Sequence, residues 1–155
     1  MKNSVALAIF VIQLAGMMPL DAQAPVSIYV GPHMRDGFVD VDQGILDSIA
    51  DIKNELQKMR RYTLAATPEQ ATIALVVLSR HSPGDSGGVG IPIGAGMTVI
   101  APIKRLAIES ILKFGTYERR LLSEDEGGGT WRAAAKRTAQ DLTAWVTANH
   151  HMLPK

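Results

Sequence analysis

Leu106 to Leu122 reads LAIESILKFGTYERRLL, and the fold turns on whether this stretch is helix or strand. Leu106, Ile108, Ser110, Leu112 and Phe114 alternate with Ala107, Glu109, Ile111 and Lys113, the two-residue repeat of a half-buried strand. Ile103, Leu106, Ala107, Ile111 and Phe114 also fall on one stripe of a helix bounded by Pro102 and Gly115. The residues beyond Lys113 favour strands. Phe114-Gly115-Thr116 supplies a hairpin break, and Tyr117 to Leu122 is a natural second arm.

Upstream, Ser82 to Met97 holds six glycines and two prolines, and regular structure is not expected there. Before it, Thr72 to Ser79 carries the aliphatic run Ile73-Ala74-Leu75-Val76-Val77-Leu78. Such a run predicts a central strand covered on both faces. Asp42 begins a different pattern, with Ile45, Ile49, Ile52, Leu56 and Met59 recurring at helical spacing and Lys58, Arg60 and Arg61 at the far end. Asp42 suits the helix N-cap, and Thr67-Pro68-Glu69 is a turn after a short strand over 62–65. Val26, Ile28 and Val30 alternate with Ser27 and Tyr29 as a first strand ended by Gly31-Pro32, whereas His33 to Val41 has no period and reads as loop.

Downstream, Glu124 to Gly129 is a surface loop and Thr130 caps a last helix with Trp131, Ala135, Thr138, Leu142 and Trp145 on one stripe. The resulting order is β-α-β-β, a glycine loop, then β-β-α. It predicts an α+β two-layer sandwich: a mixed or antiparallel sheet with both long helices on one face.

Residues 1–24 carry the pattern of an export leader: Lys2, an uncharged apolar run from Val5 to Met18, Pro19, and Ala22-Gln23-Ala24 as a small-residue cleavage end. The run is shorter than the about 20 residues of a membrane span and is interrupted by Gln13 and Gly16. The expectation is a cleaved signal peptide, a single domain over 25–155, and a periplasmic or secreted location with no integral membrane span after cleavage. The chain has no cysteine, so neither disulfides nor a thiol-linked lipid anchor are available. Net charge is +1, and remains so without residues 1–24, because Lys2 and Asp21 cancel. That balance gives no electrostatic reason to expect a nucleic-acid partner.

Gly84-Asp85-Ser86-Gly87-Gly88 spells the nucleophile motif of chymotrypsin-like serine proteases, with His33 upstream as a possible base. The chain is too short for two β-barrels, and a long helical stripe lies where barrel strands should be. A glycine turn in which Asp85 and Ser86 make local hydrogen bonds is the simpler reading. His33, His81, His150 and His151 lack the helical spacing that would aim two rings at one metal, and the Asp36, Asp40 and Asp42 set lacks the glycine and glutamate of a calcium loop. No cofactor or metal is expected. Glu124, Asp125 and Glu126 read as a solvated turn, and Trp131 and Trp145 as core packing.

Val89 to Ile103 contains no charged residue. Two readings remain open for it: an apolar contact surface built on Val89, Ile91, Ile93, Met97 and Val99, or a covered strand over Met97 to Ala101. The first leads to an exported, non-enzymatic binding or assembly module for another protein or an envelope component. The rival is a small secreted serine hydrolase using Ser86 and His33.

The Ile28-Tyr29-Val30 strand, the long helix ending in basic residues, Ala71 to Val77, the Gly115 hairpin and the Trp131 to Trp145 helix together resemble small uncharacterised secreted bacterial proteins. Their order is also similar to that of the N-terminal domain of the periplasmic Tol-Pal translocation protein and of the curli-secretion lipoprotein. The resemblance covers most of the chain after Pro25 and implies an envelope assembly role without catalysis. The chain departs from the lipoprotein by lacking the anchoring cysteine.

Overall fold

A computed structural model describes residues 25–35, 38–39, 42–82, 88–92, 98–102, 105–125 and 129–154. The leader-like residues 1–24 lie outside the described residues. Strand β1 (Val26–Pro32) is followed by β2 (Met34–Arg35) and β3 (Phe38–Val39), which pair antiparallel as a small separate ribbon. Helix α1 (Gln43–Gln57) leads to β4 (Tyr62–Leu64), a 3-10 turn over Pro68–Gln70, and β5 (Ile73–His81). Then come β6 (Gly88–Pro92), β7 (Thr98–Pro102), β8 (Ala107–Phe114), β9 (Tyr117–Glu124) and α2 (Trp131–Ala148). Gly115 in the β8–β9 turn has φ of 56°, the left-handed conformation that glycine adopts without a Cβ penalty.

The main sheet has the order β4-β1-β5-β8-β9. β1 runs parallel to β4 and β5, while β5–β8 and β8–β9 are antiparallel, so the architecture is α+β with a mixed, open sheet. Both helices cover one face. Ile45, Ile49, Ile52 and Leu56 of α1, and Ala135, Ala139, Leu142 and Trp145 of α2, form one core with Ile28, Val30, Ile73, Leu75, Val77 and Leu112. Burying each large aliphatic side chain contributes about 1.5–3 kcal/mol, which makes this layer the source of stability.

The helix ends explain where the layer begins. Asp42 Oδ1 accepts from Ile45 N at 2.7 Å and Thr130 Oγ1 from Ala133 N at 3.1 Å, each satisfying an otherwise orphaned amide. Arg80 ties the two starts together. It donates to the Gly44 carbonyl of α1, and its guanidinium lies 3.7 Å from the ring centre of Trp131 at the start of α2. It can reach there because the β5–β8 register shifts between Val77 and Ser79, inserting Leu78 as a bulge residue.

Three expectations are corrected. The glycine-rich stretch over 82–97 includes a regular strand, since Gly88–Pro92 pairs with Thr98–Pro102 in a ladder of its own. Part of the 33–41 loop is the β2–β3 ribbon. β5 is central but is packed on one side: Ile73, Leu75 and Val77 are buried, whereas Ala74, Val76 and Leu78 are only half-buried. The cause is that the two helices supply one covering layer, and both use the same face.

Candidate functional site

The charge-free segment forms an antiparallel ribbon whose strands, among the described residues, pair with each other and belong to no larger sheet. Val89 stands opposite Ala101 and Ile91 opposite Val99. Because strand positions alternate between faces, these four positions share one face, and Gly88, Gly90, Pro92, Thr98, Ile100 and Pro102 occupy the other. Three of the five residues expected to form a contact surface are thereby brought together. Ile93 and Met97 lie outside the described residues. The 97–101 strand expectation holds for Thr98 onward, but its hydrogen-bonding partner is β6 rather than the main sheet.

Residues 84–87 of the glycine motif, Ser86 among them, also lie outside the described residues, while Gly88 opens β6. His33 is exposed directly after β1, where its backbone N–H donates to Val77 O at 3.1 Å. His81 is exposed at the end of β5 opposite Ala107. His150 and His151 sit in a C-terminal 3-10 turn with ring centres 5.9 Å apart. Among the described residues no cluster of three metal-ligating side chains occurs, and no helix is long and apolar enough to cross a membrane. Trp145 is buried against Phe114 and Tyr117, as core packing requires, while Trp131 is half-buried beneath Arg80.

The open face of the sheet carries a polar group that sequence reasoning missed. The β8–β9 register sets Glu109 beside Leu122 and Ile111 beside Arg120, and the β5–β8 register sets Ser79 beside Glu109. Arg120 Nε donates to Glu109 Oε1, and Ser79 Oγ donates to Glu109 Oε2 at 3.2 Å. The bonded Arg120 guanidinium holds the Glu109 carboxyl below its usual range, outweighing the opposing effect of burial, and Ser79 and the positive charges of Arg120 and His81 act in the same direction as Arg120. A carboxylate held ionised is a weak proton acceptor at neutral pH. Among the described residues no serine hydroxyl is hydrogen-bonded to a histidine. The cluster ties β5, β8 and β9 together through one carboxylate.

The outer edge is β9. Among the described residues its backbone is unpaired on one side, and a groove of about 420 Å³ separates it from α2, lined by Arg119, Leu121, Asp141, Ala144, Trp145 and Ala148. Comparison of the chain with protein-family models and with curated proteins yields no match.

Proposed function

We propose that the protein is an exported, non-enzymatic binding or assembly module that engages an envelope protein through the charge-free ribbon and the free sheet edge. A single observation carries the reading: the segment 89–103 has no charged residue, and its described strands form a ribbon that, among the described residues, stands outside the main sheet, with Val89, Ile91 and Val99 at positions on one face. Apolar positions grouped in this way suit contact with a partner surface. The leader pattern of residues 1–24 supports a periplasmic or secreted location, and the similarity in element order to envelope assembly proteins points the same way.

Replacing Ile91, Ile93 and Val99 together by Ser is expected to abolish capture of envelope proteins while circular dichroism and melting temperature stay those of the parent. An unchanged set of captured proteins overturns the reading. Labelling by a fluorophosphonate probe that disappears in Ser86→Ala would overturn its non-enzymatic part.

A further inference from the structure

The β8–β9 turn contains two residues, Gly115 and Thr116, so Phe114 and Tyr117 are the closing pair and exchange backbone hydrogen bonds. Alternation then directs the amides and carbonyls of Tyr117, Arg119, Leu121 and Ser123 toward β8. Asp125 N, next in that phase, donates to Leu106 O at 2.9 Å. The backbone groups of Glu118, Arg120, Leu122 and Glu124 point to the free edge. Leu122 is 54% exposed, a large apolar side chain among edge-facing positions that are otherwise the charged residues Glu118, Arg120 and Glu124.

A second copy can add to this edge by antiparallel pairing about a two-fold axis normal to the sheet. Such pairing keeps each residue on its own face, so the axis must pass through a residue position. Centring on Arg119 or Arg120 sets an arginine against its copy. Centring on Leu121 sets Glu118 against Glu124. Centring on Leu122 instead sets Leu122 against Leu122 and Arg120 against Glu124 in both directions, and it uses the edge-facing backbone groups of all three residues. Arg120 engages Glu109 through Nε, and its guanidinium has further N–H donors for a second carboxylate. Its side chain is 70% exposed and that of Glu124 39%. The groove beside β9 leaves space for an incoming strand, because the α2 positions facing it include the small residues Ala144 and Ala148.

We infer that β9 is the interface of a symmetric dimer, two copies pairing antiparallel about Leu122 with reciprocal Arg120–Glu124 ion pairs, so that the two sheets become continuous. The inference deepens the sheet-edge part of the proposed function and does not depend on the ribbon.

The chain has no cysteine, so Leu122→Cys gives a clean readout. Residues facing each other across the two-fold lie about 5.5 Å apart at Cα, within disulfide reach. Mild oxidation of the full-length exported protein is expected to convert Leu122→Cys to covalent dimer, while Thr63→Cys, exposed on the opposite edge, stays monomeric. Sedimentation of the parent is expected to show a dimer whose dissociation constant rises roughly tenfold or more in Glu124→Arg. The combined Ile91, Ile93 and Val99 replacement is expected to leave that constant unchanged. A parent that stays monomeric at about 100 μM, crosslinking at Leu122→Cys no faster than at Thr63→Cys, or dissociation caused by the ribbon variant would each overturn the inference.

Discussion

Two antiparallel ribbons follow one another in this chain, and their compositions are the reverse of what their positions would suggest. The β6–β7 ribbon has no charged residue, yet it pairs only with itself among the described residues. The β8–β9 ribbon carries Glu109, Lys113, Glu118, Arg119, Arg120 and Glu124, yet it forms two strands of the main sheet beneath α2. Incorporation follows from alternation rather than from mean hydropathy. In β8, Ile108, Ser110 and Leu112 are fully buried on the helix side, while Glu109, Ile111 and Lys113 face the open side. A strand divided in this way can be covered on one face and solvated on the other. In β6 the alternate positions on one face are Gly88, Gly90 and Pro92, which offer little side chain for a helix to cover.

The largest expected effect lies in the charged ribbon. Leu112 is fully buried between the sheet and α2, and Leu112→Ala is expected to cost about 2–5 kcal/mol of unfolding free energy, read from chemical denaturation. A loss below about 1 kcal/mol would break the comparison by showing that β8 is not part of the stabilising core.

A smaller effect comes from the open side of the same ribbon. Glu109 is ionised more readily in the folded chain than in the unfolded one, because Arg120 and Ser79 bond its carboxylate. Its contribution is therefore complete above the unfolded-state pKa and fades as pH falls through the lower folded-state value. Glu109→Gln is expected to be less stable than the parent at pH 7, with the gap closing below about pH 4. Denaturation midpoints of both proteins at pH 7 and pH 3 check this. A gap of the same size at both values would show that the cluster acts through packing rather than charge.

Much of the main layer is legible in the sequence because its residues repeat. Ile45, Ile49, Ile52 and Leu56 predict both the helix and the face it buries, and Gly115 resolves the helix-or-strand choice at 106–122. What the sequence hides depends on long-range pairing. Ser79, Glu109 and Arg120 meet only through the register of three strands, and a bulge at Leu78 is needed to put Ser79 on the open side and Arg80 near the helix starts. The aliphatic run of β5 suggests cover on both faces, but run length does not reveal how many helical layers exist. The β6–β7 ladder is masked by its glycines and prolines, although Val89 and Ile91 already stand two apart. Its contact role is less legible still, since a partner's complementary surface is not written in this chain.

The smallest expected effect tests the uncharged ribbon directly. Val99 belongs to a ladder that, among the described residues, β6 and β7 form with each other and with no further strand, so Val99→Ala is expected to change unfolding free energy by no more than about 0.5 kcal/mol. A small loss of strand preference accounts for a change of that size. The measurement is the same denaturation series used for Leu112→Ala, so the two ribbons are compared on one scale. Should Val99→Ala cost about 2 kcal/mol or more, the ribbon would be a covered part of the core, as large-to-small changes at buried sites are. Its apolar positions would then be explained by folding, and the argument for a partner-binding surface would lose its basis.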